Sequence, residues 1–195
     1  IENFNVKTST FCCYPTDNSF IDAHINEIKK KVNNINNFKL IFSAHGLPEK
    51  NIKNGDPYQW QVEQTVDKIV KKMNIENLDY ILSYQSRVGP LKWIEPSTES
   101  VIIKNSKFGK HIVLVPIAFV SEHSETLVEL DIEYKNIANN LGLSGYRRVP
   151  AVGTHPAFIE GLRDLALTAF EQKTELGPLG NKRYCPSDYI QCPCK

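Results

Sequence analysis

The run HIVLVPIAFV, residues 111–120, is apolar at almost every position. A continuous apolar run of this length is typical of a strand that is buried on both faces of a parallel sheet. Similar runs are FKLIFS at 38–43, DYILSY at 79–84 and, more weakly, residues 146–149. Helical patterns lie around and between these runs, at 18–32, 57–73, 122–140 and 155–171. The alternation predicts an α/β fold in which a doubly wound parallel sheet is flanked by helices.

The bulk composition is that of an ordinary globular chain. The 195 residues are 41% hydrophobic and 23% charged, which suits one domain with a substantial core. A net charge of +1 gives no reason to expect a nucleic-acid partner. No apolar run approaches the ~20 residues that span a bilayer. We predict an irregular segment at 1–13, one lobe at 14–172 and a cysteine-containing tail at 173–195.

Polar and aromatic residues follow each predicted strand. In parallel α/β sheets, ligands bind at the carboxyl ends of the strands. We therefore expect these residues to gather on one rim of the sheet: His45 after the first strand, Ser86, Arg87 and Trp93 after the second, and Phe119, Glu122 and His123 after the third.

Four glutamates follow the third strand at spacings of three, four and four: Glu122, Glu125, Glu129 and Glu133. On a helix this spacing places the carboxylates along one face, where like charges are destabilising. The column indicates a path for a cation, and a solvated helix face is the alternative interpretation. With His45 and His123 nearby, the histidines have three candidate roles: metal ligand, general base, or both in sequence.

Arg87 and Trp93 predict the kind of ligand that this rim binds. A guanidinium suits bidentate binding of a carboxylate, and an indole offers a broad apolar face. Together they suit a flat aromatic ligand that carries acid groups. Taken singly, Arg87 also fits a surface charge and Trp93 the edge of a core.

Several long motifs in order resemble the ferrochelatases, which insert ferrous iron into protoporphyrin IX. The motifs are LIFSAHGLP at 40–48, GDPY at 55–58, YQSRVGP with Trp93 at 84–93, and VPIAFVSEHSETLVELDIEY at 115–134. The resemblance extends from about residue 14 to about residue 171. It implies one Rossmann-like chelatase lobe that takes part in the last step of haem biosynthesis, with Fe²⁺ as the substrate metal.

The resemblance also implies a role for each site residue. His45 corresponds to a metal ligand or acceptor of pyrrole protons, Glu125 to the carboxylate facing it, and His123 to a second histidine beside that carboxylate. Glu129 and Glu133 correspond to an acidic line on a helix distorted toward π geometry, and Glu122 stands where many relatives have Asp. The implied catalytic residues are thus His45, Glu125 and His123, the implied metal-binding residues are His45, Glu125, Glu122, Glu129 and Glu133, and the implied porphyrin-binding residues are Trp93, Arg87, Ser86 and Phe119.

A whole ferrochelatase has two similar lobes, and this chain resembles the carboxyl-terminal one. We therefore expect it to need an amino-terminal lobe and to show weak activity or none alone. Its expected small-molecule partners are protoporphyrin IX and ferrous iron. Two other functions stay open: a chelatase for a related tetrapyrrole such as coproporphyrin, and a non-catalytic porphyrin- or haem-binding remnant. The expected location is cytoplasmic; peripheral contact with the inner membrane and a homodimer are left open.

The cysteines lie at the two ends of the chain. Cys185, Cys192 and Cys194 are in the last eleven residues, and Cys12 and Cys13 are adjacent near the start. Some ferrochelatases carry three tail cysteines that bind a two-iron, two-sulfur cluster, whose fourth ligand is in the amino-terminal lobe. Here Cys12 or Cys13 must approach the tail if the chain itself supplies four thiolates. Zinc binding and free thiols are the alternatives.

Overall fold

Four parallel strands form the main sheet of the computed structural model, which describes residues 8–143, 145–171, 176–177 and 183–194. The strands in chain order are β1 (Thr10–Phe11), β2 (Phe38–His45), β3 (Tyr80–Gln85), β4 (His111–Pro116), β5 (Tyr146–Arg148) and β6 (Leu176–Gly177). The main sheet has the order β3-β2-β4-β5, and every neighbouring pair is parallel. The central strands β2 and β4 are the most continuously apolar, which is the reason they can be covered on both faces.

Helices cover both faces of this sheet, as a doubly wound fold requires. They are α1 (Asn18–Val32), α2 (Glu49–Lys53), α3 (Tyr58–Met73), α4 (Thr98–Asn105), α5 (Tyr134–Asn140) and α6 (Pro156–Glu171), with a π-helix at Glu125–Glu133. Apolar residues of α1 and α3 pack with one face of the sheet. Those of α4, the π-helix and α5 pack with the other. The predicted fold class is therefore confirmed. None of the described helices has the length and apolar content to cross a membrane.

Three local predictions differ from the structure. The helical segment expected over 122–140 begins later, at Glu125, as a π-helix and becomes an α-helix at Tyr134. The short helices α2 and α4 were missed, since five and eight residues carry little periodicity. The end segments contribute the parallel pair β1–β6, although the first of them was expected to be irregular. The predicted boundaries at 14 and 172 stay a prediction.

Strand register sets where the site forms. His45 at the end of β2 is paired with Gln85 at the end of β3, and Ser43 is paired with Pro116 at the end of β4. The three strands therefore stop at nearly the same level. The chain leaves the sheet there in strained turns, with positive φ at Ser86 (57°) and Ala118 (66°). Such backbone in non-glycine residues concentrates at functional sites.

Candidate functional site

His45 closes β2 at the rim and is held by its neighbours. Its Nδ1 lies 2.7 Å from the carbonyl oxygen of Gly46, and its own carbonyl accepts a hydrogen bond of 3.0 Å from the hydroxyl of Tyr58. Gly46 is needed for close packing, because a Cβ there would lie 3.2 Å from the Trp93 ring and 3.3 Å from Cγ of Arg87. The rim therefore brings His45, Arg87 and Trp93 to one place, as predicted.

His123 lies just before the π-helix and forms a pair with Glu125, the first residue of that helix. Nδ1 of His123 lies 2.5 Å from Oε2 of Glu125, which also accepts a bond of 2.8 Å from the Ser124 hydroxyl. The bond from Ser124, a contact with its own backbone and the bond from His123 lower the pKa of Glu125 to about 2. The carboxylate is thus charged throughout the neutral range. The ring of Phe119 lies 5.1 Å from that of His123 and limits its rotation.

Glu129 is saturated with hydrogen bonds in this structure. One oxygen accepts from the Ser86 N–H (2.8 Å) and the Tyr134 hydroxyl (2.7 Å). The other accepts from the Ser86 hydroxyl (2.5 Å) and the Gln85 amide (3.1 Å). Four donors satisfy most of the lone pairs of a carboxylate, so Glu129 must exchange donors before it can bind a metal ion.

Glu122 does not join the other glutamates. It lies before the π-helix and accepts from Arg148 of β5 (2.6 Å) and from the N–H of Ala151 (2.9 Å). Burial opposes its ionisation, but these donors hold the pKa of Glu122 below its ordinary value. The same arginine binds Asp131 in the bidentate manner, at 2.7 and 2.6 Å. The expected column of four carboxylates is therefore corrected to three, because Glu122 belongs to an ion-pair cluster.

Glu133 and Glu129 line a cavity of about 270 Å³ between the π-helix and the rim. Ser86, Arg87 and Tyr134 contribute to the same wall, and Glu99 of α4 adds a carboxylate that sequence reasoning missed. Together, Glu99, Glu129 and Glu133 make this opening acidic.

Trp93 and Arg87 keep buried donors without protein partners in the described chain. Nε1 of Trp93 and Nε of Arg87 are both buried, and neither donates to any described residue. The other end of Arg87 is bound to Glu95, with Nη2 2.6 Å from Oε1. Since a buried unpaired donor is unfavourable, these two groups are suited to acceptors of a ligand.

The five cysteines come together from both ends of the chain. The side chains of Cys185, Cys192 and Cys194 are buried in one cluster, and Cys12 packs against it. Burial is the main cause that raises the pKa of Cys12 and Cys13 to about 12 and that of Cys185 to about 11. The approach of Cys12 to the tail, which a cluster of four thiolates would require, is therefore present.

Residues that sequence reasoning missed lie behind the predicted ones. Tyr58 fixes the carbonyl of His45, Tyr134 binds Glu129, and Gln85 reaches both Glu125 and Glu129. Tyr58 and Gln85 lie within the motifs GDPY and YQSRVGP. Their residue types alone do not indicate a role in the site. Within the described ranges, no three or more His, Cys, Asp or Glu side chains are arranged to hold a metal ion.

The fold and the rim define the class of protein. A structure of SirB from Bacillus subtilis with Fe³⁺ has a TM-score of 0.50 to this chain at 17% identity and covers 80% of this chain and 57% of that one. This likeness supports a chelatase-like α/β fold. The family model described as Ferrochelatase matches residues 2–169. The chain therefore belongs to the ferrochelatase family.

Two curated relatives named ferrochelatase match almost the whole chain. The one from Pelagibacter ubique is 66% identical over 192 residues, which cover 98% of this chain and 56% of the relative. The one from Rickettsia typhi is 48% identical over 195 residues, again 98% and 56%. The chain thus spans about half the length of the curated relatives it matches.

Proposed function

We propose that this chain supplies the His/Glu half of an enzyme that inserts ferrous iron into protoporphyrin IX to give protohaem, forming nitrogen–metal bonds. The observation that carries the proposal is the His123–Glu125 pair, which lies on the same rim as His45, Arg87 and Trp93. Family membership supports metal insertion into a porphyrin. The porphyrin, the oxidation state of the iron and the division of labour within this site are our inference.

Metal insertion requires a negatively charged group that faces the metal ion and bases that accept the N–H protons of the porphyrin. Insertion of Fe²⁺ displaces two N–H protons from the macrocycle, so two proton equivalents must leave the site. A carboxylate whose pKa is about 2 is a weak base, and Glu125 is therefore suited to face the cation. The imidazoles of His45 and His123 are suited to take the protons, because an imidazole nitrogen is the commonest proton acceptor in catalysis. Nitrogen and carboxylate donors also suit a borderline divalent ion.

The porphyrin is proposed to bind against Trp93 and Phe119, with Ser86 and Arg87 beside it. The indole offers an apolar face, and the unpaired Nε1 of Trp93 and Nε of Arg87 offer donors to acid groups. Glu129 and Glu133 are proposed to conduct ions between this place and the acidic cavity, after Glu129 exchanges its present donors. Glu122 is bound to Arg148. We therefore propose that Glu122 holds the porphyrin end of this path in place and does not itself bind the metal ion.

The decisive experiment is a chimera in which this chain replaces the matching 192 residues of the Pelagibacter relative. Anaerobic Fe²⁺ insertion is followed by loss of porphyrin fluorescence. We expect turnover of protoporphyrin IX, with weak or no turnover by the isolated chain. His45→Ala and Glu125→Gln should each lower kcat/KM by about 100-fold or more. The exposed Glu160 supplies a matched control, and Glu160→Gln should retain the full rate.

The other outcomes separate the alternatives. Turnover of coproporphyrin but not protoporphyrin would make the chain a chelatase for a related tetrapyrrole. Porphyrin binding without turnover, in a chimera whose parent relative is active, would make it a binding remnant. Mixing the separate amino-terminal part of the relative with this chain tests whether the two halves act as partners. Co-sedimentation with vesicles and light scattering test the expected membrane contact and the homodimer, and fractionation tests the cytoplasmic location.

We also propose that the thiol cluster binds a two-iron, two-sulfur cluster, or zinc in its place. The donor types fit, because the thiols of Cys12, Cys185, Cys192 and Cys194 lie in one cluster and the amide of Gln61 donates to Cys185 over 3.2 Å. In the described ranges these thiols are not arranged to hold a metal ion, so they must reorient when the centre binds. When bound, such a centre would cross-link the two ends of the chain. Iron and acid-labile sulfide analysis of anaerobically purified protein, beside zinc analysis, tests this. Loss of the metal in Cys12→Ser is expected, and metal-free native protein would contradict the proposal.

A further inference from the structure

Gln85 is a buried amide that joins the sheet to the π-helix. It ends β3 and is 1% exposed. Its Nε2 donates to the carbonyl oxygen of Glu125 (2.9 Å) and to the carboxylate of Glu129 (3.1 Å). Its Oε1 accepts from the hydroxyl of Ser43 on β2 (2.8 Å). One side chain thus contacts the backbone of one acidic residue of the site and the carboxylate of another.

The orientation of this amide is determined by its surroundings. The carbonyl of Glu125 and the carboxylate of Glu129 can only accept hydrogen bonds, so only the NH₂ group can face them. The opposite orientation would bring three acceptors together in a buried place. Ser43 must therefore donate to Oε1. The neighbouring acceptors thus fix the donor direction at the π-helix, whichever way the amide atoms are assigned.

Three buried hydroxyl groups form a series of contacts that reaches Gln85. The Ser43 oxygen lies 2.8 Å from that of Thr98, which lies 2.9 Å from that of Ser83. All three residues are fully buried, and they come from β2, α4 and β3. Ser43 donates to Gln85, and Ser83 donates to the carbonyl oxygen of Phe42 over 3.1 Å. The Thr98 hydroxyl lies between the two serines and has one proton to share with them. These contacts hold the Gln85 amide from the sheet side.

The bond from Gln85 to Glu129 acts together with the strained residue beside it. Ser86 has a φ of 57°, a left-handed conformation that is unfavourable for residues other than glycine. Its N–H and hydroxyl both donate to Glu129. Residues 85–86 therefore supply three of the four donors to Glu129, and Tyr134 supplies the fourth. Without Gln85, the Glu125 carbonyl would lose its bond to the end of β3, and Glu129 would lose one of its donors.

We propose that Gln85 is a positioning residue that holds Glu125 and Glu129 in the register needed for metal insertion, through two N–H donors whose direction the neighbouring acceptors determine. Its effect on catalysis rests on the proposed function, but its effect on the π-helix does not. Gln85 does not contact the reacting atoms; it acts through the two glutamates.

Hydrogen–deuterium exchange of this chain, read by peptide mass spectrometry, tests the structural part. Gln85→Glu has the same shape but places a carboxylate against Glu129, whereas Gln85→Met removes the donors without adding charge. Hydrogen bonds to charged groups are stronger than those between neutral groups. We expect exchange in the peptide over 125–133 to rise about tenfold or more in both variants at pH 8, with no change over 58–73. If Gln85→Glu does not fold, Gln85→Met alone decides.

A pH series distinguishes positioning from a general loss of packing. On lowering the pH, the carboxyl group introduced by Gln85→Glu becomes protonated and can donate one hydrogen bond, so the difference between this variant and the native chain should shrink. The difference for Gln85→Met should not change with pH. Asn105→Asp is the matched control, because Asn105 is a buried amide that donates to Lys110 at the opposite end of β4. It should leave exchange over 125–133 unchanged.

The chimera with the Pelagibacter relative tests the effect of Gln85 on catalysis. Both Gln85 variants should lower kcat by about tenfold or more with little change in KM for porphyrin, and the Gln85→Glu rate should recover as the pH falls. Equal exchange over 125–133 in the native chain and both variants would overturn the inference even if the chimera is active. If the native chimera shows no turnover, the proposed function fails while the exchange result still decides the role of Gln85.

Discussion

The thiol of Cys12 lies 3.9 Å from the thiol of Cys192, although 180 positions separate them in the chain. The contact depends on the way the tail docks. Trp60 near the start of α3 packs against the rings of Tyr184 and Tyr189. The N–H of Gln191 donates to the carbonyl of Gly55 over 3.1 Å. The tail is therefore held by the GDPY segment, whose Tyr58 also binds His45.

Gly55→Ala is expected to loosen the tail. A Cβ at residue 55 would lie 2.6 Å from Cγ1 of Ile190 and 2.9 Å from its backbone nitrogen. The tail must move, so thiol reagents should label Cys185, Cys192 and Cys194 about tenfold faster. Gly89→Ala is the control, since it shares a positive φ but has nothing within 4 Å. Equal labelling in the two variants would show that the Gly55 contact does not hold the tail.

Arg148→Met is expected to destabilise the fold by about 3 kcal/mol. The side chain of Arg148 is only 12% exposed and binds Asp131 and Glu122. Without it, both carboxylates lose their cationic partner, and Glu122 keeps the bond from the Ala151 N–H. Burial disfavours the charged guanidinium, yet the bonds to these carboxylates raise the pKa of Arg148 further, so the charge is present at every working pH. Urea unfolding measures the change.

Two further variants are compared with Arg148→Met. Arg148→Lys keeps the charge but cannot make the bidentate contact, so its loss should be smaller. Arg163→Met is the control, because Arg163 is 63% exposed and pairs only with its neighbour Asp164. It should cost no more than about 0.5 kcal/mol. An Arg148→Met value in that range would mean that the ion-pair cluster does not stabilise the π-helix segment.

Acid should destabilise the protein through His24. This residue is buried, its Nε2 has no hydrogen-bond partner in the described chain, and burial lowers its pKa to about 3. The unfolded chain takes up a proton below pH ~6.5, whereas the folded chain does not until about pH 3. The stability contribution is therefore present above about pH 6.5 and is lost as the pH falls.

The measurement compares the native chain with His24→Leu. Between about pH 7 and pH 4.5 the native free energy of unfolding should fall by about 2–3 kcal/mol more than that of the variant. Chemical denaturation at a series of pH values gives both curves. Parallel curves would show that His24 is protonated in the folded state.

Tyr58→Phe tests the backbone support of His45. The variant loses the bond of 3.0 Å to the His45 carbonyl and should be destabilised by about 1 kcal/mol in urea. In the chimera, the rate should fall because the end of β2 is less firmly held. Tyr80→Phe is the control, since Tyr80 is 43% exposed and its side chain, within the part of the chain that the structure describes, makes a ring contact with Phe42 and no hydrogen bond. It should behave like the native chain in both assays.

The amino-acid sequence by itself determined the four main strands, their parallel α/β arrangement and the rim at which His45 and Ser86 lie at the ends of β2 and β3. These features follow from local patterns, because an apolar run and its first polar residues are adjacent in the chain. The motif resemblance also implied the π geometry of the helix after β4. The structure confirms that distortion and places it at Glu125–Glu133.

Only the tertiary structure decided which polar groups are already engaged. Arg148 binds Glu122 from 26 positions away, and Gln85 reaches Glu125 and Glu129 across 40 and 44 positions. Cys12 meets the tail across 180. Hydrogen bonds and ion pairs depend on distances of a few tenths of an ångström and on donor direction. Packing between distant elements sets those quantities, and no local pattern encodes them.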